Sequence, residues 1–261
     1  LEMLVKKGKK LIIANWKMNP GGADAARELF LATRRAAAGA TRRVSVAVCP
    51  PAPFLTVLSR LANKTVIIGA QDSFWRNGGH YTGEIAPEML KDAGAQFVLS
   101  GHSERRERGE TDDMVSRKTQ AVLREGMTAV VCVGEKVRDE NGAFFSSLRE
   151  QIKASFARVQ RRFITDVIIA YEPLWAIGKN WREAARPEDV REAAIFIRKT
   201  LSDIFGDEGV LVPVLYGGSV GPENAEGLLR GGDIAGFLVG HESLDPEAFA
   251  FLIKLANEAK V

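Results

Sequence analysis

Residues 167–181 read VIIAYEPLWAIGKNW. The stretch opens with Val167, Ile168, Ile169, Ala170 and Tyr171, an apolar and partly β-branched run with no polar alternation. A strand with one wet face alternates, whereas a continuous run needs cover on both faces, as in a parallel sheet. The run ends in a carboxylate, Glu172, followed at once by Pro173 and then by an apolar segment closing in Gly178-Lys179-Asn180. A buried strand that hands a glutamate to the start of a water-excluding loop is a sensible way to build a general base. An exposed or salt-bridged carboxylate is the plainer alternative, and the rest of the chain must choose.

The same pattern recurs outward from this point. Strands are expected at 11–18, 43–49, 65–71, 96–100, 127–133, 166–171, 211–215 and 236–239. Helices are expected at 24–38, 54–62, 87–93, 111–124, 144–163, 187–205, 222–230 and 246–259, several of them opened by proline at the first turn. A long polar loop, 72–84, follows the third strand. No linker, low-complexity segment or shift in composition divides these eight strand–helix pairs. They predict an α/β chain folded as one (β/α)8 TIM barrel over 1–261, with 1–9 as an N-terminal extension. An open doubly wound sheet would carry a glycine-rich cofactor turn after its first strand, and NWKMNPGG lacks that spacing.

Composition narrows the function. The 261 residues are 46% hydrophobic and 26% charged, ordinary for a globular chain with a substantial core. With 36 basic and 33 acidic residues the net charge is +3, which leaves no footprint for nucleic acid or an anionic membrane. A small anionic substrate needs only local positive charge. Cys49 and Cys132 sit in apolar runs and read as buried free thiols, with no metal-ligand spacing. The opening LEMLVKKGKK has no apolar region of signal-peptide type after it, and no run is long enough to span a bilayer. A soluble cytoplasmic protein without metal or cofactor is expected.

Barrel active sites lie at the C-terminal ends of the strands. Those ends supply Asn15 and Lys17, then His102, Ser103 and Glu104, then Glu172, then Gly217, Gly218 and Ser219, and finally Gly240 and His241. Lys17 lies two residues after Asn15, so the strand period puts both side chains on one side. A lysine there is ordinarily a solvated surface charge; beside Trp16 and an amide it reads as a fixed cation. His102 precedes a short helix whose N-cap is expected to be Ser103, and the positive end of that helix disfavours protonation of the imidazole. A neutral ring can donate a hydrogen bond to a carbonyl, although an isolated histidine is more often structural. Gly217-Gly218-Ser219 and Gly240 follow strands seven and eight, where barrels often hold a phosphate on backbone N–H groups. A base, a neutral donor, a cation and a phosphate cradle are the parts needed to move a proton beside the carbonyl of a small phosphorylated sugar.

The segments NWKMN (15–19), TGE (82–84), GHSERR (101–106), YEPLWAIG (171–178), YGGSV (216–220) and FLVG (237–240) together resemble the triosephosphate isomerase family, in the family's order and over almost the whole chain. The resemblance implies interconversion of D-glyceraldehyde 3-phosphate and dihydroxyacetone phosphate through an enediol(ate), a step of glycolysis and gluconeogenesis. It implies Glu172 as the base, His102 as the polarising and proton-shuttling group, Lys17 as the stabilising cation, Asn15 as an orienting amide and Glu104 as support for the Lys and His network. It further implies phosphate binding by the N–H groups of Gly178, Ser219, Gly240 and His241, a lid over 173–178 and just beyond, and a buried cysteine, Cys132, with a packing role near the base. A homodimer is implied, formed through the 72–84 loop, with Thr82 near the neighbour's site.

Two departures from the family pattern stand out. Lys179-Asn180-Trp181 replaces the usual Thr-Gly-Lys hinge, and the segment up to Pro187 is about two residues longer. His241 stands where the family usually has a second glycine, which implies a strained backbone if φ is positive there. These two places are where a switch to a four-carbon keto-sugar phosphate would show. A catalytically idle barrel is the alternative from another class, and intact Glu172, His102 and Lys17 argue against it.

Overall fold

The structure, a computed structural model, describes residues 9–40, 43–139, 141–180 and 182–259. All of the expected extension except Lys9 lies outside the described residues, as does Trp181 of the lid hinge. Eight strands form a closed barrel in chain order: β1 (Lys10–Asn15), β2 (Val44–Cys49), β3 (Val66–Ala70), β4 (Phe97–Ser100), β5 (Thr128–Val133), β6 (Val167–Tyr171), β7 (Val214–Tyr216) and β8 (Gly236–Val239). Every pairing is parallel, and β1 closes the ring against β8 with Ile12 opposite Phe237 and Ala14 opposite Val239. The helices are α1 (Ala23–Ala38), α2 (Leu55–Ser59), α3 (Pro87–Asp92), α4 (Ser103–Glu107), α5 (Asp112–Arg124), α6 (Ala143–Phe156), α7 (Pro187–Phe205), α8 (Asp207–Val210), α9 (Ala225–Gly231) and α10 (Pro246–Glu258). No helix among the described residues is long and apolar enough to cross a membrane.

The uninterrupted apolar strands are explained by two separate cores. Ile168 and Ala170 join Leu11, Ile13, Leu99 and Val130 in a cluster that fills the barrel. Val167, Ile169 and Tyr171 belong to the larger cluster between strands and helices. Alternate residues therefore serve opposite faces, and both faces are dry. Extending the count, Glu172 follows Ile168 and Ala170, and Asn15 follows Leu11 and Ile13, so both continue the inward series at the mouth. At the closing seam Gly236 has φ +148°, and an added Cβ would lie 1.9 Å from Leu11 O. Gly236→Ala is expected to cost about 3 kcal/mol or more, read as a lowered urea midpoint; a change within about 0.5 kcal/mol would contradict this account of the seam.

Several boundaries differ from the sequence expectation. β1 stops at Asn15 instead of residue 18. A 3-10 turn at Ala52–Phe54 and a short α2 replace the helix expected at 54–62. The helix expected over 144–163 ends at Phe156, because α5 captures the next amides: Arg158 N–H donates to Ser116 Oγ at 2.9 Å and Gln160 N–H to Gln120 Oε1 at 3.2 Å. A 3-10 segment, Arg161–Asp166, then leads into β6. The strand expected at 211–215 lies at Val214–Tyr216, because α8 packs Gly209 onto the backbone of Leu201 in α7 and leaves Leu211 exposed. α9 begins at Ala225, three residues after the expected Pro222.

Candidate active site

A cavity of about 490 Å³ opens at the C-terminal mouth of the barrel. Its wall includes Asn15, Lys17, His102 and Glu172 together with Gly178, Ser219, Gly240 and His241. Eight of the nine expected site residues therefore line one space, and the ninth, Glu104, reaches it through Lys17.

Glu172 is 2% exposed. Its Oε2 accepts the Ser103 N–H at 2.9 Å, and its Oε1 lies 3.4 Å from His102 Nε2. Two glycines make room for it. A Cβ on Gly134 would sit 1.9 Å from Glu172 O, and one on Gly217 would sit 2.8 Å from Glu172 Cγ. The Gly217 N–H donates to Tyr171 O at 2.8 Å, so Gly217 shapes the site while its amide is already used. Burial, then the charge and hydrogen bond of Glu172, push the Cys132 thiol well up. Cys132 thus stays protonated beneath the carboxylate, and both cysteines are buried and free.

His102, and not Ser103, is the N-cap of α4: its Nδ1 accepts the Glu104 N–H at 3.2 Å. Serine is the commoner cap, but here the imidazole nitrogen reaches the helix amide first. An accepting Nδ1 carries no proton, which assigns a neutral ring with its hydrogen on Nε2, the nitrogen facing Glu172.

Lys17 is not on the strand. It follows β1 with φ 53°, a left-handed conformation that is strained for a side-chain-bearing residue. The alternation argument that paired it with Asn15 therefore fails, although the residue does reach the cavity. Asn15 Oδ1 accepts the Lys17 N–H at 3.0 Å, and Gln71 Nε2 donates to Lys17 O at 2.8 Å and to Cys49 O at 2.9 Å. These bonds hold the unusual turn from both sides. Gly240 supplies clearance, since a Cβ there would lie 3.1 Å from Lys17 Cε. The ammonium Nζ meets Glu104 Oε1 at 2.7 Å. Burial pushes the Glu104 carboxyl up, but the Lys17 hydrogen bond and charge, helped by Arg108, outweigh it and hold the group below its ordinary value.

Four contributors were not singled out from sequence. Gln71, the polar end of an otherwise apolar strand, was visible as such. Arg106, inside GHSERR, donates from Nε to Gly101 O at 2.7 Å and from Nη2 to Cys132 O at 3.2 Å, tying the ends of β4 and β5 together. Asn224 accepts the Gly221 N–H at 2.9 Å and donates to Ser219 O at 3.0 Å, bracketing the turn after β7. Ser243 donates to Gly240 O at 2.6 Å within a 3-10 turn, His241–Leu244. His241 has no positive φ, so the strain expected there is absent.

The segment after Glu172, expected to form a lid, begins with a 3-10 turn, Leu174–Ala176, anchored on Glu135, whose Oε1 accepts Tyr171 Oη–H and Trp175 Nε1–H, both at 2.8 Å. Its far end has no glycine hinge. Asn180 Oδ1 instead accepts the Arg182 N–H at 2.9 Å, and Asn180 Nδ2 donates to Glu183 Oε2 at 2.7 Å. Among the described residues, Asn180 thus ties Arg182 and Glu183 into a local turn.

A family model described as triosephosphate isomerase matches residues 10–256. The chain belongs to the triosephosphate isomerase family. It is 38% identical over 252 residues to the triosephosphate isomerase of Endomicrobium trichonymphae, covering 95% of this chain and 99% of that one. It is 40% identical to that of Thermoanaerobacter pseudethanolicus over 252 residues, covering 94% and 98%. The crystal structure of triosephosphate isomerase from Bartonella henselae superposes with a TM-score of 0.82 at 35% identity, over 95% of this chain and 98% of that one. As a member of the triosephosphate isomerase family the chain is an isomerase, and the fold expected from its sequence is the one found.

Proposed function

We propose that the cluster at the barrel mouth carries out the reaction of the triosephosphate isomerase family, the interconversion of D-glyceraldehyde 3-phosphate and dihydroxyacetone phosphate. The observation that supports this division of roles is the meeting of Glu172, the Nε2 of His102 and the ammonium of Lys17 in one cavity. Glu172 removes a proton from C1 of dihydroxyacetone phosphate and returns one to C2. His102, donating from Nε2, gives a proton to the C2 oxygen as the enediolate forms and recovers one from the C1 hydroxyl as the aldehyde forms. Lys17 stabilises the negative charge that builds on these oxygens, and it also attracts the substrate phosphate. Asn15 and Glu104 hold Lys17 in position. The phosphate rests on the N–H groups of Gly178, Ser219, Gly240 and His241, which line the same cavity. The lid from Pro173 shields the enediolate from water.

The same reading includes a homodimer in the cytoplasm. Residues 76–84 of the long loop are exposed throughout, Thr82 among them, while its base is closed by Phe74 N–H on Ile85 O at 2.8 Å. An exposed tip on a braced base suits insertion into a neighbour.

A coupled assay tests the function. Rapid turnover of glyceraldehyde 3-phosphate with little turnover of four-carbon keto-sugar phosphates is expected. The relatives' names carry the triose reaction and give the four-carbon alternative no support. Turnover on the four-carbon sugars alone would overturn the reading, as would phosphate binding with no turnover.

A further inference from the structure

A second hollow lies where the base of the 72–84 loop meets α5. Its volume is about 750 Å³, and its wall includes Trp75, Arg76, Arg117, Gln120, Arg124 and Arg158. It shares no residue with the mouth cavity. Four guanidiniums in one wall repel one another unless anions answer them. Asp113 answers two: its Oδ2 is 2.7 Å from Arg117 Nε, and its Oδ1 accepts from Arg158 Nε at 3.1 Å and Nη2 at 3.0 Å. The Arg158 hydrogen bond, foremost among the contributions of both arginines, holds the Asp113 carboxyl below its ordinary range, so it stays charged. Glu125, the carboxylate in the wall, already accepts Asn77 Nδ2 at 2.6 Å, and its backbone oxygen takes Lys91 Nζ at 2.7 Å, which brings a fifth cation close.

Two of the guanidiniums also lie over aromatic rings. Arg117 lies over the Trp75 ring at 6.0 Å and Arg76 over the Tyr81 ring at 5.5 Å. A cation over a ring is drawn to its face, which restrains both side chains and leaves their N–H groups for a ligand. Gln120 is 6% exposed, and its Nε2 has no hydrogen-bond partner among the described residues, although its Oε1 is satisfied by Gln160. A buried donor without an acceptor is costly, and an anion or its bound water would satisfy it.

We propose that this hollow binds a small multivalent phosphate anion, of the class of polyphosphates and metabolites bearing two or more phosphoryl groups. Arginine forks match phosphate oxygens two at a time. The donors come from three segments (the loop, α5 and the turn after α6), so a ligand with several phosphoryl groups can engage more of them than a single phosphate can. Such an anion would bridge Arg76 to the α5 arginines and brace the loop base against its own barrel. Binding to the folded chain alone would raise thermal stability by mass action.

The test uses the full chain and inorganic tripolyphosphate in isothermal titration, with a saturating triose phosphate present to occupy the mouth cavity. Arg117→Ser and Arg124→Ser are combined, both on the solvent side of α5. Wild type should bind tripolyphosphate, with an affinity that falls as salt rises. The double variant should bind at least about tenfold more weakly. Its triose isomerisation should be unchanged, and tripolyphosphate should no longer raise its melting temperature. Unchanged affinity in the double variant would overturn the proposal, as would removal of all wild-type binding by the triose phosphate.

Discussion

Glu172→Gln is expected to lower kcat by about 10³-fold while leaving the fold and the triose phosphate affinity largely intact. Glutamine keeps the shape and an acceptor for the Ser103 N–H, so the bond that seats the side chain survives. What is lost is the proton acceptor. The carboxylate is 2% exposed and sits over a protonated Cys132, in a space that Gly134 and Gly217 keep open by lacking side chains. The groups facing it do not replace it: on the assigned tautomer His102 presents a donor, and Lys17 is a cation paired to Glu104. The check is kcat and KM beside a urea unfolding curve. A variant that keeps more than about a tenth of the wild-type kcat would remove Glu172 from the role of base.

Lys17→Ala is expected to cost about 10²- to 10³-fold in kcat, with a rise in KM, because the ammonium meets charge both on the bound substrate and, more strongly, on the enediolate. The substitution is unusually clean. The bonds that fix the turn, Asn15 Oδ1 to the N–H and Gln71 Nε2 to the carbonyl, are made to the Lys17 backbone and remain available to alanine. The partner left behind, Glu104, has a side chain 40% exposed and is open to solvent. Circular dichroism and the melting temperature should therefore change little while turnover falls. Near-normal rates would show that the cation acts elsewhere.

The repeating architecture was legible in the sequence because it rests on local signals. β8 and α7 fall where periodicity and proline placed them, and the two-faced cores explain why eight apolar runs lacked alternation. The site was legible as a list of residues at strand ends, and the structure brings that list together. Its geometry was less legible. Lys17 reaches the cavity through a left-handed turn held by Gln71, a residue 54 positions away, and strand parity could not foresee that contact. The cap of α4 went to His102 over Ser103 because an imidazole nitrogen was better placed than a hydroxyl, while the Ser103 amide was drawn toward Glu172, 69 positions away. The end of α6 was set in the same way by side chains of α5. At Lys17 and at the end of α6 a long-range hydrogen bond overrode a local preference.

The central claim is that Glu172 moves a proton between two carbons. It is tested most directly by incubating the chain with dihydroxyacetone phosphate in heavy water and following the carbon-bound hydrogens by proton NMR. Wild type should place deuterium on carbon in its triose phosphates, because a proton held on a carboxylate can exchange with solvent before it is returned, and Glu172→Gln should place essentially none. Deuterium appearing on carbon at wild-type rates in Glu172→Gln would contradict the account.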